Sequence, residues 1–448
     1  MLTASCYFYA CWDWRFLFLL LFSILLDYFS GIKIAATGNR RRRLFWLCLS
    51  ICINLGFLIV FKYYNFFADS FAGAAGHLGW QVSIWTLKIV LPVGISFYTF
   101  HGLSYIIDVY KRRIPAEKNF VDYALFVSFF PLLVAGPIER ATHLLPQIKQ
   151  PRTFEYKKAI DGLRQMLWGL FKKIVIADSC AGYVNFVFND PGSFSGSAHL
   201  LAAVFFAVQI YCDFSGYSDI ALGTARLLGF DLLRNFAFPY FSRDIAEFWR
   251  RWHISLSSWF RDYMYIPLGG SKKGMIKSVR NVFIIFLVSG FWHGANWTFI
   301  FWGLLNALYI LPSIIFRTNR THLDIVAQGR LLPSVREFFS MALTFGLTVF
   351  AWIFFRSDNL GSAFLFVKKI FSRSLFSMPT TEYLHASFIL PLVVFFIIEW
   401  VGREEQYAIA KLEIKWPKPV RYAAYYTLFF YVMYYGSGIP QQFIYFQF

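Results

Sequence analysis

Residues 281–316 read NVFIIFLVSGFWHGANWTFIFWGLLNALYILPSIIF, an unbroken run without Asp, Glu, Lys or Arg. As one straight helix this run would be about 54 Å long, nearly twice the hydrocarbon core of a bilayer. As two crossings it leaves no residues for a loop. A break or tight turn near Gly290 and Gly294 resolves the conflict and puts His293 at depth. An ionisable side chain there is costly and faces a cavity or a partner, so His293 is the first candidate functional residue. The bland reading is a helix-packing histidine bonded to a neighbouring carbonyl.

The rest of the chain has the same character. Of its 448 residues 58% are hydrophobic, 21% aromatic and only 15% charged. An average soluble domain has about 25% charged residues. So little charge cannot cover so much apolar surface, and disorder is excluded on the same ground. The composition points to one polytopic all-α membrane unit spanning 1–448. The net charge of +18 is an orientation signal, because multispanning proteins concentrate Lys and Arg in cytoplasmic loops. Nucleic acid is not an expected partner, since no polar domain carries the basic residues.

Candidate spans lie near 16–29, 44–61, 89–107, 123–138, 174–188, 200–217, 281–316, 338–355, 387–401 and 422–435, giving ten or eleven crossings. The run Arg40–Arg43 marks its loop as cytoplasmic, and Lys111–Arg113 returns to that side. Parity then fails at the fourth segment, because Arg140, Lys149, Arg152, Lys157 and Lys158 follow it. Pro131, Gly136 and Pro137 offer a way out: the segment enters the membrane and turns back. Irregular backbone is tolerated there only where protein or a watery cavity covers it. The N-terminus has no basic leader or small-residue cleavage site, and Asp13 and Arg15 interrupt it, so no signal peptide is expected to be removed.

The longest polar region, 219–280, is rich in Arg and Lys and is expected on the cytoplasmic side. On a helical wheel, 244–263 separates into an indole-rich face (Trp249, Trp252, Leu256, Trp259, Phe260, Tyr263) and a charged one. That predicts one amphipathic helix lying in the interface, with His253 at the edge of the buried face. His253 alone balances between catalysis and interface packing.

Other residues carry less. Cys6, Cys11, Cys48, Cys52, Cys180 and Cys212 have no CxxC spacing and read as buried, inert thiols, with no metal site. His77, His143, His322 and His385 fall in predicted loops. His101 and His199 read as hydrogen-bonded structural histidines. No GxSxG elbow, HExxH, Walker loop or GxGxxG is present. A neutral imidazole at His293 suits general-base work on a hydroxyl attacking a thioester, and Trp292 and Trp297 would exclude water.

The segments 251–263 (RWHISLSSWFRDY) and 265–270 (YIPLGG) resemble the signature of the membrane-bound O-acyltransferase (MBOAT) family. So do 291–297 (FWHGANW), the stretch from Phe130-Pro131 to Ala135–Arg140, and 213–219 (DFSGYSD). In order they cover nearly the whole chain. The likeness is to the bacterial branch that holds alginate O-acetylation and teichoic acid D-alanylation proteins, and it is closer to the alginate type. Members of that branch usually carry a further hydrophobic segment before the stretch matched by 4–9, which here starts almost at Met1.

The resemblance implies a helical fold around a central funnel or tunnel, with re-entrant and interfacial helices, in a bacterial inner membrane. It implies two functional histidines: His293, the expected catalytic residue, and His253. Acetyl-CoA is the implied cytoplasmic donor, with no bound cofactor, and Arg250, Arg251, Lys272 and Lys273 are candidate contacts for its phosphates. An exported polysaccharide, alginate or alginate-like, is the implied acceptor, with a separate extracytoplasmic acetyltransferase as partner and membrane lipid around the chain. Teichoic acid, peptidoglycan or another envelope glycan is the alternative acceptor. A transporter or flippase, using the broken segments as a substrate path, is the alternative of another class. The last span and aromatic tail, 422–448, resemble a C-terminal motif of the branch. There Tyr445 is a candidate acyl relay, against the plainer reading of an interfacial aromatic anchor.

Overall fold

The computed structural model describes Met1–Phe448 apart from Gln81, Ile84, Lys88, Ile89, Lys273, His385, residues 413–415, 438–441 and 445–448, and the side chain of Ala386. Among the described residues every regular element is helical. Six helices of the described residues are long and apolar enough to cross a membrane, and Ser387–Val401 is a shorter apolar helix. Other apolar runs are shorter helices or are interrupted by irregular backbone. The run at 123–138 breaks at Phe129 (ψ 109°), just before Pro131, whose missing N–H and ring cannot continue the preceding helix. The run at 174–188 lies in one helical rod, 156–189, whose middle is the π-turn Phe171–Ala177.

The chain forms two compact units. The first comprises Met1–Thr153 with Phe230–Leu233. Its long helices are α1 (Leu2–Ala36), α2 (Arg40–Leu58), α3 (Tyr64–His77) and α4 (Ile95–Tyr110). α1 kinks at Asp13, whose carboxylate accepts from Arg15 at 2.6 Å, so the two charges flagged in the sequence mark a bend. α5 (Phe120–Ser128), α6 (Phe130–Leu133) and α7 (Ala141–Lys149) follow. Between α6 and α7 the backbone is irregular and Ala135–Arg140 is buried, as irregular backbone at membrane depth requires. The Glu139 N–H donates to His101 Nε2 (3.1 Å) and its carboxylate meets His143 Nδ1 (2.8 Å). His101 is thus a structural histidine, as expected. His143, expected in a loop, lies in α7.

The second unit comprises Phe154–Gly229 and Arg234–Phe448. α8 (Tyr156–Leu170) and α9 (Asp178–Asn189) pack on the 32-residue α10 (Gly196–Leu227). At the start of α10, His199 contacts the carbonyls of Ser195 (2.7 Å) and Pro191 (3.1 Å), a structural role as expected. Two short helices, α11 (Ile245–Arg251) and α12 (Ile254–Phe260), lead to α13 (Met275–His293) and α14 (Trp297–Ile315). α15 (Val335–Arg356), α16 (Leu360–Ile370), α17 (Ala386–Val401) and α18 (Lys418–Gly436) complete the unit.

The uncharged run therefore folds as a hairpin. α13 ends at His293, residues 294–296 turn, and Asn296 caps α14 by accepting from the Thr298 N–H (3.0 Å). Its arms approach closely at glycines. A Cβ on Gly290 would sit 2.2 Å from the Phe299 carbonyl oxygen, and one on Gly303 would sit 2.3 Å from that of Phe286. Small residues at such crossings let membrane helices gain dispersion energy that lipid tails do not supply.

The cysteines divide against expectation. Cys180 and Cys212 are buried, Cys6 is half-buried, and Cys11, Cys48 and Cys52 are exposed. For helices α1 and α2 the surrounding hydrocarbon is as apolar as a protein core, so nothing drives a small apolar thiol inward.

Candidate active site

The segment 244–263 is not one helix. Asp244 caps α11 by accepting from the Glu247 N–H (2.7 Å). After Arg251 the chain is extended at Trp252 and left-handed at His253 (φ 41°, ψ 55°) before α12 begins. A second departure is the π-turn Arg261–Tyr265. The expected interfacial wheel therefore does not form, and its charged face is largely covered by protein. Glu247 is 1% exposed and accepts from both Arg243 (3.1 Å) and Arg251 (2.8 Å). Arg243 also meets Asp324 (3.0 Å). Arg250 donates to the carbonyls of Asn319 (2.7 Å) and His322 (2.6 Å). These arginines bolt α11 to 319–324. Glu247→Gln should destabilise the fold by about 2 kcal/mol, because Asp324 still pairs Arg243 while Arg251 loses its carboxylate. Thermal unfolding in detergent measures this, and an unchanged midpoint would contradict it.

The left-handed turn is held from outside by Asn235, which the sequence reading passed over. Its carbonyl accepts from the Ile254 N–H (2.8 Å), and its Oδ1 accepts from the Ser255 hydroxyl (2.6 Å). Its Nδ2 donates to Ser218 Oγ on α10 (3.0 Å). A lone asparagine after a basic residue has no motif signal; only the folded contacts show its role. With that seat fixed, the His253 ring enters the protein. It lies 4.7 Å from Phe214 at a right angle and 6.0 Å from Trp292. His253 is 1% exposed, and neither ring nitrogen has a hydrogen-bond partner among the described residues. Burial alone pulls its pKa well below the usual histidine range, so the ring is neutral.

His293 arrives from the tip of the hairpin. Its ring is 4.9 Å from Trp292, 5.2 Å from Trp302 and 5.2 Å from Phe355, and it is 7% exposed. Trp292 thus contacts both imidazoles, which lie forty positions apart in the chain. Trp302 stacks on Trp352 (5.6 Å), and Trp352 packs on Trp252 (5.1 Å). An aromatic cage drawn from α10, α13, α14, α15 and the α11–α12 turn encloses the pair. Such a cage excludes water and keeps a neutral imidazole available as a base. Trp297, expected to help shield His293, is instead 55% exposed.

The remaining candidates are placed elsewhere. Arg250 and Arg251 are engaged as described, which leaves them poorly placed to meet phosphates. Lys272 is exposed in a turn before α13. Lys273 and Tyr445 lie outside the described residues. Just before Tyr445, Phe443 packs on Tyr217 (5.3 Å) and Phe214 (6.4 Å). The Ile444 N–H donates to Asp213 Oδ2 (2.6 Å). The tail therefore docks on the turn of α10 that walls His253. Among the described residues no cluster of His, Cys, Asp and Glu is placed to hold a metal ion.

Comparison with known proteins places this arrangement. The model of the MBOAT, membrane-bound O-acyltransferase, family matches residues 107–354. The chain is 41% identical over 373 residues to the probable alginate O-acetylase of Pseudomonas aeruginosa, covering 83% of this chain and 69% of that one. It is 37% identical to the peptidoglycan O-acetyltransferase of Helicobacter pylori, covering 82% and 72%. To the teichoic acid D-alanyltransferase of Bacillus subtilis it is 29% identical, covering 60% and 69%.

Proposed function

Because this chain belongs to the membrane-bound O-acyltransferase family, we propose that His293 is its catalytic base and that His253 completes the site. The chain is an integral membrane O-acyltransferase. The reading is that it takes acetyl groups from cytoplasmic acetyl-CoA for O-acetylation of an exported polysaccharide, alginate or alginate-like, at a bacterial cell membrane. The observation that carries it is the pair of buried imidazoles, delivered by separate helices, that share Trp292.

The chemistry follows from that cage. His293 takes the proton of the acceptor hydroxyl as its oxygen attacks the thioester carbonyl. The new C–O bond forms, the C–S bond breaks, and the proton passes to the departing thiolate. Water competes for the same carbonyl, so the enclosure by Trp292, Trp302 and Phe355 favours transfer over hydrolysis. His253, buried beside the same Trp292, orients a reacting group by hydrogen bonding.

Membrane vesicles given acetyl-CoA labelled in its acetyl group test this reading. Thioester loss with label appearing in an acceptor is expected; intact thioester would reject it. The similarity to a peptidoglycan acetyltransferase over nearly the same span favours a cell-wall glycan as the second reading of the acceptor.

The tail extends the proposal. Tyr445 receives the acetyl group as a phenolic ester and hands it to a separate extracytoplasmic acetyltransferase, which splits one transfer into two. The docking of Phe443 and Ile444 beside the His253 wall supports this. After a pulse of labelled acetyl-CoA, the C-terminal peptide should carry label in the parent chain and none in Tyr445→Phe. Equal labelling of both peptides would remove Tyr445 from the pathway.

A further inference from the structure

We propose that a cleft between α17 and α18 holds one phospholipid, whose ethanolamine-type headgroup sits on Glu405 and Lys411. Both helices lean on the π-turn Phe171–Ala177. The cleft between them holds about 420 Å³, within the range of small-molecule sites. Leu390, Val394 and Ile397 of α17 and Leu428 and Tyr431 of α18 line it, with Phe171 of the π-turn. The α17 residues recur at i, i+4 and i+7 and stay exposed, so they form an apolar stripe open to the bilayer.

The two ends of the cleft differ. At one, Tyr435 near the end of α18 donates to the Ser387 carbonyl at the start of α17 (3.2 Å), tying the helices together. The other carries Trp416 and an ion pair, Lys411 Nζ to Glu405 Oε2 at 2.8 Å. Among the described residues these two are the charged groups in the wall. The loop that presents them is held firmly. Arg403 is buried and donates to the carbonyls of Val326 (2.9 Å), Ala327 (2.6 Å) and Arg330 (2.6 Å). A Cβ on Gly402 would sit 2.2 Å from the Ala408 carbonyl oxygen, so the loop doubles back tightly. From Leu390 to Val401 the α17 wall rises about 17 Å, close to one leaflet of the hydrocarbon core.

Acyl chain and headgroup contribute differently. Lipid tails are as apolar as the cleft wall, so a chain buried there is gripped by shape but scarcely selected. Selection falls to the mouth. An ammonium that donates N–H bonds meets Glu405 and the adjoining phosphate meets Lys411, so four charges alternate in sign. A choline headgroup has no N–H to donate to Glu405. A glycerol headgroup sets net negative charge against the same carboxylate. Trp416, 43% exposed, supplies the amphipathic ring common at headgroup level. The bound lipid braces α17 from outside. On the inner face of α17, Glu399 accepts from Trp168 Nε1 (3.2 Å) and the Tyr211 hydroxyl (2.6 Å). Tyr211 in turn contacts Trp252 (6.2 Å), which links the cleft to the aromatic cage.

The test uses the full chain in a neutral detergent, titrated with phosphatidylethanolamine, phosphatidylcholine or phosphatidylglycerol of matched acyl chains. Native mass spectrometry counts the bound lipid. One phosphatidylethanolamine per chain is expected, held about tenfold more tightly than the other two lipids. Glu405→Gln leaves Lys411 alone at the mouth and should reverse the order, so that phosphatidylglycerol binds best. A residue that only packs the loop would not invert headgroup preference. Ala424→Phe, which fills the cleft from α18, should abolish retention of all three lipids. Absence of bound lipid, equal retention of the three, or the same order in Glu405→Gln would overturn the proposal. So would a dimer that Ala424→Phe dissociates without releasing lipid, which would seat a second copy of the chain in the cleft.

Discussion

His293→Ala is expected to lower acetyl-CoA-dependent acetylation by about 10³-fold, within the range a positioned general base contributes. The size follows from the geometry. His293 is held on three sides by Trp292, Trp302 and Phe355, and water is poorly placed to replace its ring in a cage of that composition. The fold should survive, since α13 keeps its glycine contacts with α14 at Gly290 and Gly303. A truncation in a well-packed core still costs about 2–4 kcal/mol, so activity is compared at a temperature where both proteins are folded. His293→Gln, which keeps volume and hydrogen bonding but is not a base, should be as inactive as the alanine variant. Retained turnover in the glutamine variant would assign His293 to packing.

His253→Gly separates the backbone of the second histidine from its ring. At φ 41° a side chain costs about 1–2 kcal/mol of left-handed strain, which glycine does not feel. Losing the imidazole leaves a cavity against Phe214 and Trp292 in the glycine and alanine variants alike, so strain relief separates them. The glycine variant should therefore be more stable than His253→Ala by about 1 kcal/mol, yet turnover should fall about 100-fold in both. If activity tracked stability, so that glycine restored it, His253 would be a hinge and not a participant.

The same residue sets a pH signature. Burial lowers its folded pKa below the unfolded value of about 6.5. The unfolded chain then binds the extra proton, so this contribution to stability is fully present above that value and is lost as pH falls below it. The glycine variant should lose less stability than wild type on acidification below about pH 6.5. Parallel midpoint curves for the two proteins would show that the ring is not buried neutral.

Much of this was legible in the chain because a membrane makes composition decisive. A charge-free run of 36 residues has few options in lipid, and the need for a turn near Gly290 and Gly294 followed from length alone. The turn is where expected, with His293 as its last helical residue. The family resemblance, carried by the segments around both histidines, was equally plain and is shown by the comparisons.

The errors came from periodicity. A helical wheel assumes a continuous helix, and the left-handed residue at His253 ends one helix and starts another, so the charged face of 244–263 turned inward onto Glu247 and Asp324. Nothing local announces that break, because it is imposed by Asn235 from another part of the chain. Hydropathy likewise sees apolar runs but not the π-turn within 156–189 or the break before Pro131.

The sequence by itself thus determined the solvent, the all-helical class and the hairpin, because each follows from local composition and the price of burying charge in lipid; His253 became a candidate through the family resemblance. Only the tertiary structure decided that both imidazoles share Trp292 and that Arg250 and Arg251 are structural. Those are pairings between residues tens of positions apart. Geometry in three dimensions, and not residue type, determines which charge is already satisfied.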